Sequence, residues 1–149
     1  MPTSAQVKAA SLEYRELVAA EKPDMARFFQ EAGFPVAILP DDRGWGAFSR
    51  DRLVGCVALC QEAKAWVLRG PEVRQGFQKR GTSARLLEVV EPALAGLTCF
   101  CVAYPYLKAM YAKVGFEPCP PEERPRFLSK RVAWLKQTGW DLVVLRRPG

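Results

Sequence analysis

An α/β fold, of the α+β kind with one mixed and mostly antiparallel sheet flanked by helices, is predicted by three observations on this sequence. Residues 45–49 and 53–61 are β-prone runs on either side of the polar triplet Arg50-Asp51-Arg52, and a third run, 65–73, follows a short turn. That is the pattern of an antiparallel meander. Runs with helical periodicity stand before and after it. Two later β-prone runs, 98–103 and 142–145, are separated by helical segments.

In chain order, Val7, Ala10, Tyr14, Leu17 and Val18 recur at helical spacing, and after a break at Pro23 so do Met25, Phe28, Phe29 and Ala32. Two helices are the reading. Gly33 followed by Phe34 looks like a helix C-cap, and Pro35 prevents continuation. In the third meander strand Gly70-Pro71 predicts an interruption with a bulge, because Pro donates no ladder hydrogen bond. A helix from Thr82 carries Leu86, Leu87, Val90 and Leu94 on one face, and Pro92 kinks it or ends it near Glu91. Gly96 closes that segment. Residues 98–103 form a buried strand, Pro105 opens a short helix capped by Gly115, and 116–119 return as a strand. A Pro-rich turn, a helix over 125–138 capped by Gly139 and a last strand complete the chain.

A chain of 149 residues is expected to form a single domain. No apolar run approaches a membrane span, and the first residues lack the pattern of a signal peptide, so a cytoplasmic address is expected by default. There are five cysteines, an odd number, and four of them lie in apolar β-like runs, where thiols behave as small hydrophobes. The chain has no histidine. That removes the commonest metal ligand and general base, so zinc sites, Ser-His triads and Cys-His dyads are largely excluded and no metal is expected. The formal charge of +6 suits a partner carrying several phosphates, whether a nucleotide cofactor or a nucleic acid.

The most informative segment is Gln78-Lys79-Arg80-Gly81-Thr82-Ser83, which leads into the helical run from Ala84. Gly81 permits positive φ, so successive N–H groups can converge on one anion. Thr82 and Ser83 open a helix whose dipole adds partial positive charge. Lys79, Arg80 and Arg85 supply formal charge. The spacing is neither that of a P-loop nor that of a dinucleotide fingerprint. Gly-Thr-Ser is also an ordinary helix start, and on this hexapeptide alone both readings stand.

About thirty residues further on comes Tyr111-Ala112-Lys113-Val114-Gly115-Phe116-Glu117. The two segments in this order resemble the GNAT acyl-CoA N-acyltransferase superfamily, from about Trp45 to Pro118. There, a Gln/Arg-x-x-Gly-x-Gly/Ala loop grips the coenzyme A pyrophosphate and a Tyr-x-x-x-Gly-Phe segment closes the next helix. The resemblance implies an N-acetyltransferase that uses acetyl-CoA as cosubstrate, with no metal, and passes the acetyl group directly to an amine acceptor it does not identify. It assigns the pyrophosphate to Gln78, Lys79, Arg80, Gly81, Thr82 and Ser83, the thioester carbonyl to the amide of Val73, and protonation of the departing thiolate to Tyr111. It also implies a first strand, here missing or replaced by residues 36–39.

Three departures stand out. Many members carry a glutamate where this chain has Val67, which leaves Glu72 and Glu62 as the nearest acids. Glu72 is the candidate base, with pairing to Arg74 or Arg69 as its alternative role. Tyr104 stands where members often have Asn, and both Tyr104 and Tyr106 are candidates for the acceptor site or for the core. Ser83 replaces a small Gly or Ala. The Tyr-x-x-x-Gly-Phe spacing also has a packing explanation, because a left-handed Gly115 turns Phe116 back onto Tyr111. Rival functions are a non-catalytic acyl-CoA sensor or scaffold, favoured by Val67, and a nucleic-acid module using the basic segment 124–136, which no motif supports. If the chain self-associates, a homodimer is the default.

Overall fold

In the computed structural model, which describes residues 12–34 and 36–149, Leu12–Glu16 is a strand, β1. The predicted first helix is therefore corrected at its C-terminal end, while its start at Val7 and Ala10 lies outside the described residues, as does Pro35. Leu12 and Tyr14 also alternate with Glu13 and Arg15, so the same residues fit a period of two. Strand pairing decides between the periods. β1 runs antiparallel to β2, Arg43–Ser49, from Leu12↔Ser49 to Glu16↔Trp45. The expected replacement strand at 36–39 is absent, because β1 is the strand that precedes the helix.

The meander is as read: β2, β3 (Arg52–Glu62) and β4 (Ala65–Val73). Both turns, Arg50-Asp51 and Ala63-Lys64, hold two consecutive residues at positive φ, the geometry of tight hairpins, although neither contains Gly. β4 is not interrupted at Gly70-Pro71. The strand is continuous through this peptide, which is cis.

Among the described residues the sheet order is β1-β2-β3-β4-β5-β7-β6, with β5 at Cys99–Ala103, β6 at Glu117–Pro118 and β7 at Val143–Arg147. β4 and β5 run parallel, over Trp66↔Cys99 to Leu68↔Cys101. β6 has two residues, shorter than the expected 116–119. The helices are α1 (Lys22–Glu31), α2 (Thr82–Val90), α3 (Lys108–Ala112) and α4 (Arg126–Gln137). Pro92 falls in the 3-10 turn Glu91–Leu94 that ends α2. No described helix is long and apolar enough to cross a membrane.

The chain divides into two compact units. One holds the described residues up to Leu59 together with Gly70–Val90. There α1 buries Met25, Phe28 and Phe29 against the sheet face that carries Gly44 and Gly46. α2 covers the opposite face, where a Cβ on Gly55 would lie 3.2 Å from Leu86 and 3.5 Å from Ala47. Residues 53–60 are consecutively buried because β3 is covered on both faces.

The other unit comprises Cys60–Arg69 and Glu91–Gly149. Its core joins Phe100, Cys119, Val144 and Leu128 of α4. Glu62 bridges Arg69 and Arg131 beside that core. Arg147 ties the C-terminal strand to preceding turns, donating to the carbonyls of Val114 at 2.9 Å and Leu94 at 3.0 Å.

Candidate active site

The segment 74–81 is anchored before it is shaped. The Arg74 N–H donates to the Val54 carbonyl at 2.8 Å, which extends the β3–β4 ladder by one residue. Its guanidinium donates to the Leu53 carbonyl at 2.8 Å and pairs with Glu31 at 3.3 Å, lying 4.9 Å from the centre of the Phe28 ring. The Gln78 side chain reaches back to the Val73 carbonyl at 2.9 Å, latching the loop to the strand end. Thr82 is 2% exposed, and its hydroxyl donates to the Phe77 carbonyl at 3.4 Å. Gln78 and Thr82 therefore spend their side chains on the loop's own shape.

Between these anchors the backbone turns left-handed three times, at Gly76 (φ 95°), Lys79 (φ 61°) and Gly81 (φ 78°). Alternating left- and right-handed residues aim successive N–H groups into one concavity, an anion-binding nest. The first bond of the helix that follows runs from Arg85 N–H to the Gly81 carbonyl at 3.0 Å. The N–H groups at the start of α2 thus lack intrahelical acceptors, as helix geometry dictates. Lys79 and Arg80 are exposed and form no ion pair among the described residues. Ser83 is half-buried in the first turn. Arg85 is drawn away by Glu88 at 2.9 Å and lies over the Tyr14 ring. The loop presents backbone donors, two cations and a helix dipole, which is the chemistry that holds a diphosphate.

Glu72 lies in β4 one residue before Val73. Both of its expected partners are engaged elsewhere, Arg69 by Glu62 and Arg74 by Glu31. The half-buried Glu72 carboxylate accepts no hydrogen bond and forms no ion pair among the described residues, and burial pushes its pKa up. Glu62, the other acid considered, is held below the usual carboxylate range by Arg131 first and then Arg69, against its own desolvation. That leaves it a poor proton acceptor.

The second motif lies in the other unit. Gly115 has φ 92°, and the N–H of Phe116 closes on the Tyr111 carbonyl at 3.2 Å. The Phe116 ring meets the Tyr111 ring edge-on at 5.9 Å and 85°. Tyr111 is 3% exposed, so the packing explanation of the spacing describes its ring. Val67 is buried and pairs with Phe100. Tyr104 and Tyr106 are exposed rather than core, stacked at 5.5 Å, and Tyr104 also stacks with Trp140. Burial pushes the Cys99 thiol up to about 12 and Cys101 well above its ordinary value, so both are inert packing groups. No cluster of metal-ligating side chains occurs among the described residues. Sequence reasoning gave Arg74 no place in the loop, although it lies within the basic stretch that precedes α2.

A family model described as an acetyltransferase (GNAT) domain matches residues 37–129. No protein of curated function matches the chain in sequence. Among solved structures, the chain is similar to the N-acetylglutamate synthase of Neisseria gonorrhoeae solved with coenzyme A and N-acetyl-glutamate, at TM-score 0.61 and 20% identity over 91% of this chain. It spans only 34% of that synthase. It is similar over nearly whole lengths to Escherichia coli ElaA, at TM-score 0.60 and 15% identity, covering 91% of this chain and 99% of that one. Arabidopsis thaliana Naa50, solved with the bisubstrate analogue CoA-Ac-MVNAL, matches at TM-score 0.60 and 15% identity, covering 93% and 99%. At these identities the likeness speaks for the fold, and the family match spans well over half of the chain: it belongs to the GNAT acetyltransferase family.

Proposed function

We propose that this chain, acting as one domain, is an acetyl-CoA-dependent N-acetyltransferase that passes the acetyl group directly to a primary amine of a small molecule or protein. The observation that carries the proposal is the thrice left-handed loop at the start of α2, with Lys79 and Arg80 exposed beside it. Its backbone N–H groups, from Gln78 through Ser83, bind the pyrophosphate, while the Gln78 side chain holds the loop against β4. When bound, the thioester supplies an activated acetyl carbon. The N–H of Val73 donates to the thioester oxygen and stabilises the charge that develops there. Glu72 takes a proton from the ammonium acceptor, freeing the nitrogen lone pair for attack. As the C–N bond forms and the C–S bond breaks, the Tyr111 hydroxyl gives a proton to the departing sulfur, and its phenolate is reprotonated by the second proton that the acylated nitrogen sheds.

A second reading, a non-catalytic acyl-CoA binder, draws on Val67, an apolar and buried residue where many family members carry an acid. The experiment that tests both readings is release of free thiol from acetyl-CoA in the presence of an amine panel. Sustained release with some amine supports the enzyme, whereas tight acetyl-CoA binding with no release for any amine supports the binder. Tyr111→Phe keeps the ring on Phe116 and removes only the hydroxyl. Its turnover is expected to fall by roughly 10²- to 10⁴-fold with acetyl-CoA affinity unchanged. Equal turnover in the variant would remove Tyr111 from the mechanism.

A further inference from the structure

β1 is the outermost strand at one end of the sheet, and among the described residues no strand pairs with its outer edge. We infer that this edge is a self-association surface, and that its partner is the β1 edge of a second copy of this chain, joined antiparallel about a two-fold axis at Tyr14.

The ladder fixes which backbone groups face outward. The Leu17 N–H donates to the Gly44 carbonyl at 2.8 Å, in register with the β1–β2 pairs that run from Leu12↔Ser49 to Glu16↔Trp45. Facing alternates along a strand, so Glu13 and Arg15 also turn their N–H and C=O groups toward β2, while Leu12, Tyr14 and Glu16 turn theirs outward. The Glu16 carbonyl accepts one bond from the Arg15 guanidinium, at 3.4 Å. The Tyr14 N–H and carbonyl have no partner among the described residues. A second β1 supplies both. With the axis at Tyr14, the two copies of that residue exchange N–H···O bonds, and Leu12 of each chain pairs with Glu16 of the other.

The side chains select this register. Charges on an edge strand ordinarily keep other strands away. Here they change sign across Tyr14, with Glu13 before it and Arg15 after it on the same face. A two-fold axis at Tyr14 sets each Glu13 opposite the partner's Arg15, at a non-hydrogen-bonded position where Cβ atoms approach to about 4.5–5.5 Å. Moving the axis to Glu13 sets that acid against itself, and moving it to Arg15 does the same to the cation. Glu21 holds the Arg15 guanidinium with two bonds of 2.7 Å, and Asp51 pulls on it more weakly. Its Nε reaches Glu13 at 3.4 Å, and the Glu13 side chain is 66% exposed, so this carboxylate can cross to the partner's guanidinium. On the other face the two Tyr14 rings, each beside Arg85 of its own α2, form a cross-strand aromatic pair. The contact is the same patch on both copies and closes on itself as a dimer.

Sedimentation equilibrium of the full chain over roughly 10 μM to 1 mM, the range of a weak, strand-sized interface, is expected to show a monomer–dimer equilibrium. Glu13→Lys sets cation against cation and Arg15→Glu sets acid against acid, twice each by symmetry. Either variant alone is expected to dimerise about ten-fold more weakly or less, whereas an equal mixture of the two restores both opposite-charge pairs and associates about as the native chain does. Glu13 touches only Arg15, so Glu13→Lys is expected to fold. If Arg15→Glu, which releases Glu21, does not fold, Tyr14→Pro takes its place. It removes the outward N–H, leaves the bonds to β2 intact and is expected to abolish association. A native protein that stays monomeric throughout, undiminished association of Glu13→Lys or of Tyr14→Pro, or a mixture no stronger than its folded components would each overturn the inference.

Discussion

Glu72→Gln is expected to lower acetyl turnover by about 10²- to 10⁴-fold without destabilising the protein at neutral pH. The substitution preserves shape and removes only the carboxylate proposed as the base. No guanidinium loses a partner, because Arg69 and Arg74 are engaged by Glu62 and Glu31. Burial raises the Glu72 carboxyl, so the folded state binds that proton more tightly than the unfolded chain does. Its contribution to stability is then present below the ordinary carboxyl range and is lost as pH rises through the raised value. At pH 7 the ionised group burdens the fold, and Gln relieves that burden. The melting temperature should therefore hold or rise while activity falls, a combination that a purely structural residue does not produce. If Glu72 is the base, kcat/KM of the native protein should fall on the acid side with an apparent pKa above that of an ordinary glutamate. Undiminished turnover in the variant would move the base elsewhere.

Gly70→Ala is expected to cost about 3 kcal/mol or more of stability, which lowers the melting temperature by roughly 6–12 °C in a chain of this size. Two effects combine. Gly70 has φ 84°, where an L side chain costs about 1–2 kcal/mol. A Cβ there would also lie 2.9 Å from the Cys56 carbonyl oxygen and 3.0 Å from the Glu72 nitrogen, with Phe29 at 3.3 Å. The first two are backbone atoms of the sheet and cannot swing aside. Gly81 has a similar φ but meets nothing within 4 Å, so Gly81→Ala bears strain without collision and should melt appreciably higher than Gly70→Ala. Thermal melts of the two variants compare the effects directly, and equal melting temperatures would dismiss the steric part.

The meander was legible because β3 is covered on both faces and reads as an unbroken apolar run, with polar residues gathered at its turn. The N-terminal strand was not, because Tyr14, Leu17 and Val18 fit a helix while Leu12 and Tyr14 fit a strand, and only pairing with β2 selects the latter. The break expected at Gly70-Pro71 overstated the effect of a missing N–H donor, since the strand persists through it. In the loop, Gly81 announced its conformation, but Lys79 adopts positive φ with nothing in its side chain to signal it. The isolation of Glu72 depends on tertiary pairings made by its neighbours.

Calorimetric titration with acetyl-CoA of the native chain and of Gly81→Val tests most directly whether the loop from Gln78 to Ser83 holds the coenzyme A pyrophosphate. A β-branched residue at φ 78° should collapse the nest without touching a neighbour. The account predicts saturable binding by the native protein and its loss in a variant that remains folded. Failure of the native protein to bind, or binding undiminished in the variant, would contradict it.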